Sequence, residues 1–277
     1  MRMYVEYMNK LTGTRELTSY RHRYLQKLIG MVLSISLVLT IPVPKIFSAT
    51  PQVDRSFNNE WVILNNGDQI GRYFRKDDQI HVHINALFTE ELKNADPSSF
   101  RVNKKFREFS RDKSHIWFIS IELIADRETW EPISQAYSRD QIKVYCGVHQ
   151  LSDADPKTFK VIREGFAEWG ADKESVYSQW FRLENSDPQT FQFIDGSFSK
   201  DKNNVYFFQN RLHGADPNSF EVIKGNVAKD KHAIFAYGKK MPSYIDRSSI
   251  RVPGDGYIYD KNGRYYLYHG EWKKIER

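Results

Sequence analysis

Beyond about residue 95 the chain repeats one short pattern of apolar and polar positions. Aligned on an aspartate, the copies begin at Asp96, Asp126, Asp155, Asp187, Asp216 and Asp246, at intervals of 29 to 32 residues. Pro97, Pro156, Pro188 and Pro217 follow it, with Arg127 and Arg247 in the two divergent copies. Four residues after the aspartate stands a large apolar side chain: Phe100, Trp130, Phe159, Phe191, Phe220 or Ile250. Two further on, five copies carry another (Val102, Val161, Phe193, Val222, Val252), and the sixth has Pro132. A step of two is strand periodicity, so both side chains lie on one face.

A second box follows in every copy, with its aspartate at Asp112, Asp140, Asp172, Asp201, Asp230 or Asp260 and a fainter version at Asp77. Lysine comes next in most copies (Lys113, Lys173, Lys202, Lys231, Lys261), with Gln141 the exception. Three residues before it stands Phe109, Tyr137, Trp169, Phe198, Val227 or Tyr257; five after it stands Trp117, Tyr145, Tyr177, Tyr206, Phe235 or Tyr265. The residue just before that ring is β-branched in five copies and Arg264 in the last. Such groupings favour strands. Asp-Pro and Asp-Lys-Asn-Asn are turn chemistry, since the carboxylate accepts from nearby backbone amides and proline presets its own φ.

The pattern predicts an all-β fold, a tandem array of three-stranded meanders of about 30 residues. Units this small cannot bury a core alone, so neighbours must stack and share their rings. A small-bladed propeller is the alternative, ranked second because known propeller blades run to about 40–50 residues.

These residues resemble a known family. Asp201-Lys202-Asn203-Asn204-Val205-Tyr206-Phe207, preceded by Asp187-Pro188-Gln189-Thr190-Phe191, is similar to the DKNYY repeats of bacterial proteins, and the likeness runs over roughly residues 95–270. The resemblance implies tandem repeats in bacterial, often exported, proteins, and no established activity. The copy at Asp126 lacks both proline and lysine and departs most from the pattern.

The chain divides into residues 1–50, 51–94 and 95–277. In the first part, Arg21-His22-Arg23-Tyr24-Leu25-Gln26-Lys27 precedes an uncharged run over 28–44 that ends in Pro42 and Pro44. A basic flank before a short apolar run is the layout of an export signal. The run is slightly short for a spanning helix, which needs about 20 apolar residues. It is read first as a cleaved signal, second as an uncleaved inner-membrane anchor, and third as a buried helix. Either of the first two leaves the repeats exported, periplasmic or at the cell surface, with the membrane touched only through this segment. Residues 51–94 read as a capping hairpin around Asn66-Gly67 and a worn first unit at Tyr73–Asp77.

Charge removes one class of partner. The chain holds 41 Lys and Arg against 35 Asp and Glu, a net charge of +6. Seven of those cations and two of those anions lie in the first 50 residues, so the body is nearly neutral and makes no case for nucleic acid.

Other chemistry is sparse. Cys146 is the single cysteine and falls inside a predicted strand, as a buried hydrophobe would. His81 and His83 share a strand face, a spacing that also occurs in metal sites, but a closed site needs further ligands that the spacing does not place, and the pair reads first as an exposed strand edge. The recurrent aspartates lack the acidic density of a calcium loop, and the following lysine opposes a cation. No phosphate-binding glycine loop, zinc-protease helix or nucleophile elbow is present. No cofactor and no enzymatic activity is therefore expected. Aromatic residues make up 14% of the chain. Those in register read as core, while the off-register Trp180 and Trp272 are the candidate ligand-binding rings.

The first functional expectation is a non-enzymatic exported protein of the cell envelope that presents an interaction surface to a protein partner. The second is a glycan or cell-wall binding module using Trp180 and Trp272. The third is an enzyme whose site lies between repeats.

Overall fold

The computed structural model describes residues 61–275 apart from 166 and 196. The expected leader, including 28–44, lies outside the described residues. Within them, no helix is long and apolar enough to cross a membrane. Regular structure is β, save one 3-10 turn at Arg247–Ser249.

Two compact units meet in sequence at Leu123 and Ile124. The first holds β1 (Trp61–Ile63), β2 (Gln69–Ile70), β3 (Tyr73–Lys76), β4 (Gln79–His83), β5 (Thr89–Glu91), β6 (Arg101–Asn103), β7 (Phe109–Arg111), β8 (Ile116–Phe118) and β9 (Ile121–Glu122). They form two antiparallel sheets, β2-β3-β4-β5 and β1-β6-β7-β8-β9. The segment expected as a worn unit, Tyr73–Asp77, supplies the second strand of the first sheet, but its Asp77 is exposed, unlike the buried second aspartates of the later copies.

The expected hairpin at Asn66-Gly67 is not formed. The chain does turn there, with Gly67 at φ 86°. Yet β1 pairs with β6, and β2 pairs with β3. The flanks part because Leu64 enters the core with Phe100 and Val102, and its amide donates to the Phe100 carbonyl at 3.1 Å.

The second unit holds five successive sheets. They are β10–β13 (Glu131–Pro132, Tyr137–Arg139, Val144–Cys146, His149–Gln150), β14–β17 (Lys160–Arg163, Trp169–Ala171, Val176–Ser178, Phe181–Arg182) and β18–β21 (Gln192–Asp195, Phe198–Lys200, Val205–Phe207, Asn210–Arg211). Then come β22–β25 (Glu221–Lys224, Val227–Lys229, Ile234–Ala236, Lys239–Lys240) and the three-stranded β26–β28 (Ile258–Asp260, Gly263–Tyr268, Glu271–Ile275). Pro132 sits on the outer strand β10, where its missing N–H breaks no ladder.

A full repeat therefore has four strands, not the three expected. The fourth is two residues long and lies at the sheet edge, as in β21 and β25. Residues such as Asn210-Arg211 and Lys239-Lys240 carry no apolar alternation to reveal it. The turn into it takes a positive φ at Gly147 (58°), Gln179 (53°), Phe208 (49°) and Tyr237 (52°). Just beyond it a buried Leu151, Leu183, Leu212 or Met241 bonds its amide back to the third strand.

Most of the regular rings are inside, while Phe191, Phe193 and Tyr257 are half-buried. Phe100, Trp130, Phe159 and Phe220 are buried, as are all six rings that follow the second box. Within the second unit each sheet shares a cluster with the next. Tyr137 and Val144 meet Phe159 and Tyr177; Trp169 and Val176 meet Tyr206. Phe198, Val205 and Phe207 meet Phe220 and Phe235; Val227, Ile234 and Ala236 meet Ile258 and Tyr265. The ring after the second box thus faces the preceding sheet, and the residues beside it face the following one. Burying each ring contributes about 2–3 kcal/mol, shared between neighbours that could not supply it alone.

Candidate functional site

The two aspartate boxes prove to be one structure. The second aspartate of each copy is buried, and its Oδ1 accepts from the amides two and three residues on, as from Asn203 and Asn204 to Asp201 at 2.7 Å each. Its Oδ2 accepts from the amide of the first aspartate, at 2.7 to 3.0 Å across the six copies. Tyr145, Tyr177, Tyr206 and Tyr265 add a hydroxyl donor to the same carboxylate. Burial pushes the Asp260 pKa up, but donors from Asp246, Asn262, Tyr265 and Gly263 hold it below the ordinary value.

The first aspartate is the outer half of the clamp. It accepts from the hydroxyl three residues on (Ser99, Thr129, Thr158, Thr190, Ser219, Ser249), and that hydroxyl accepts from the amide after the second aspartate. The recurring lysine closes an ion pair, as Lys202 to Asp187 at 2.7 Å. In the divergent copy Gln141 replaces it with a hydrogen bond to Asp126. The hydroxyls were overlooked in reading the sequence, although Ser or Thr fills that position in every copy. The aspartates and hydroxyls of the boxes thus bond within the repeat, which is the turn role expected of the aspartates.

The remaining candidates are scattered. Trp180 is half-buried, packed on the Tyr137–Phe159 cluster with its ring 5.0 Å from that of His149. Trp272, on β28, is half-buried in the Ile258–Tyr265 cluster. The two rings belong to different cores and are not brought together as one surface. His81 and His83 stack against Phe74 at 5.0 and 4.8 Å, and His83 Nδ1 lies 3.0 Å from Thr89 Oγ1. Among the described residues no three His, Cys, Asp or Glu side chains group to hold a metal. Cys146 is buried, and burial followed by the nearby Glu168 pushes its thiol far up, the opposite of an activated nucleophile. Glu168 is itself buried between two sheets, with a raised pKa due chiefly to burial, and accepts from Ser134 Oγ and from the Ala136 amide at 3.3 Å.

A surface that the sequence reading missed lies on the last sheet. In the four sheets before it, the positions facing the following sheet are buried, as with Phe198, Val205 and Phe207. Their counterparts on the last sheet are Tyr257, Arg264 and Tyr266. The tyrosines are half-buried and Arg264 is exposed. Alternation along β27 puts Arg264, Tyr266 and Tyr268 on this outer face while Tyr265 fills the core. Cross-strand pairing adds Tyr259 opposite Arg264 and Lys273 opposite Tyr266. The rings of Tyr257 and Tyr266 lie 6.0 Å apart, those of Tyr257 and Tyr259 6.4 Å, and the Arg264 guanidinium sits 5.0 Å over Tyr257. The signal was Arg264 itself, the one charge at a position that is β-branched in every earlier copy.

No curated protein and no solved structure matches this chain. A family match does: the DKNYY family covers residues 124–269, more than half of the 277. It begins after the first full repeat, although the copy at Asp96 and Asp112 forms the same clamp. With the paired boxes, their clamp and this match together, the chain belongs to the DKNYY family.

Proposed function

We propose that this is a non-catalytic, exported binding protein of the bacterial cell envelope, and that its ligand is a carbohydrate of that envelope. One observation carries the reading: the last sheet leaves a face of tyrosines and cations half-exposed where its neighbours bury theirs. Tyrosine offers a flat apolar ring for the C–H faces of a sugar and a hydroxyl for its polar edge, at little entropic cost. The open face also favours an open array for the second unit over a closed propeller, since closure would cover it. The full chain should co-sediment with purified cell-wall polysaccharide, and Tyr257→Ala with Tyr266→Ala should abolish this while Trp180→Ala does not. Co-sedimentation that survives the double tyrosine change would refute the assignment.

A protein partner remains the second reading, supported by Leu87 and Phe88 on the β4–β5 turn, 87% and 65% exposed. Adjacent apolar side chains held in water mark contact sites. Cross-linking in intact envelopes should then yield an adduct that Leu87→Ser with Phe88→Ser removes. Export is tested by fractionation and by sequencing the mature N-terminus.

A further inference from the structure

The outer face of the last sheet carries more than rings. Arg251 forms an antiparallel bridge with Tyr259, donating its amide to the Tyr259 carbonyl at 2.8 Å and accepting at 2.9 Å. Directly opposed residues point to the same side of a sheet. Arg251, Tyr259 and Arg264 therefore form one row, a ring between two guanidinium groups. The Arg251 side chain is exposed and has no hydrogen-bond or ion-pair partner among the described residues. Two grooves converge on it. One of about 470 Å³ is lined by Arg251, Val252, Pro253 and Tyr259. The other, about 450 Å³, is lined by Ser248, Ser249, Ile250, Arg251 and Lys261. These volumes fall in the range of small-ligand sites, about 300–1,000 Å³. Two anions lie near: Asp255 accepts from the Tyr259 hydroxyl at 2.6 Å and is stabilised by the charge of Arg264, and Glu271 pairs with Lys273 at 2.7 Å. Among the described residues, Arg251 is thus the cation of the row with no carboxylate beside it.

We infer that this face binds an acidic carbohydrate, with sugar rings on Tyr257, Tyr259 and Tyr266 and the anionic substituents held by Arg251 and Arg264. The inference rests on the carbohydrate reading above and adds the charge of the ligand. A neutral sugar offers the guanidinium on each side of Tyr259 only single, uncharged hydroxyl acceptors. A carboxylate or phosphate takes two parallel N–H donors from such a fork.

Calorimetric titration of the full chain tests it, with four probes: a galacturonic acid hexamer, a hexamer of mannose units joined by phosphodiesters, a neutral glucose hexamer and polyglutamate. The acidic carbohydrates should bind, the neutral one about tenfold or more weaker, which corresponds to at least one charge-assisted hydrogen bond. Preference between the first two probes tells carboxylate from phosphate. Arg251→Gln and Arg264→Gln should each weaken acidic binding about tenfold at unchanged melting temperature, while Lys157→Gln, away from this face, should not. Equal affinity for neutral and acidic hexamers overturns the charge inference but keeps the carbohydrate reading. Failure of all three carbohydrates overturns both, and polyglutamate binding as tightly as the acidic sugars would make the site one for acidic peptide.

Discussion

Asp201 accepts four hydrogen bonds from three segments of its repeat: the amides of Asn203 and Asn204, the amide of Asp187, and the Tyr206 hydroxyl. The Asn204 amide and the Tyr206 hydroxyl are bonded in the interior and the other two donors are part-buried, and an unsatisfied buried donor costs about 1–3 kcal/mol. Asp201→Ala should therefore lower unfolding free energy by about 3 kcal/mol or more, and Asp201→Asn, which keeps an acceptor for the turn amides, by clearly less. Urea titration measures both, and equal losses would contradict the clamp. Nature has run part of the experiment, since Phe235 stands where four other copies have tyrosine and Asp230 keeps only its backbone donors. At this scale the sequence was legible as recurrence. Both aspartates, the lysine and the ring were visible, but spacing alone does not reveal that two carboxylates some 14 residues apart share one turn.

At the scale of an element, the third and second strands were plain from their β-branched and aromatic positions. The two-residue fourth strand was not, because edge strands of Asn, Arg and Lys look like loop. Packing between a strand and the one before it is tight enough to read from a single glycine. A Cβ added at Gly170 would lie 2.1 Å from Cζ of Phe159, where other copies accommodate Ser138, Ser199 or Ala228. Overpacking of this kind costs about 1–3 kcal/mol. Gly170→Ala should lower the melting temperature, and Phe159→Leu placed beside it should recover part of the loss. No recovery would mean that the ring is not the obstacle.

Across the molecule the same clamps tie stability to pH. Hydrogen bonds from Ser219 and the Lys231 ammonium hold Asp216 at about 2, below its ordinary 3.8. Asp96 and Asp246 are driven lower still, by their serine neighbours first and then by Lys113 and Lys261. A depressed folded-state pKa means that stabilisation is complete above the unfolded value and is lost as pH falls through the folded one. The urea midpoint should thus hold near neutrality, fall between about pH 4 and pH 2, and be spared in part by Asp216→Asn. A flat profile over that interval would show that these carboxylates contribute little. The candidate site is also a feature of the array: positions that are core in the four sheets before it, such as Val227, Ile234 and Ala236, are half-buried or exposed in the last as Tyr257, Arg264 and Tyr266.

The sequence by itself determined the repeat, its turns, its all-β character and the burial of most of its rings, because each depends on local periodicity and on side chains that recur in register. It also marked Arg264 as a break without saying what the break exposes. Only the tertiary structure decided that β1 leaves its Asn-Gly turn to join β6, that Trp180 and Trp272 sit in separate cores, and that Arg251, Tyr259 and Arg264 line up in one row. Those outcomes depend on which strand edges and faces meet. Apolar residues far apart in the chain settle that by competing for the same interior, and no spacing along the sequence records the result.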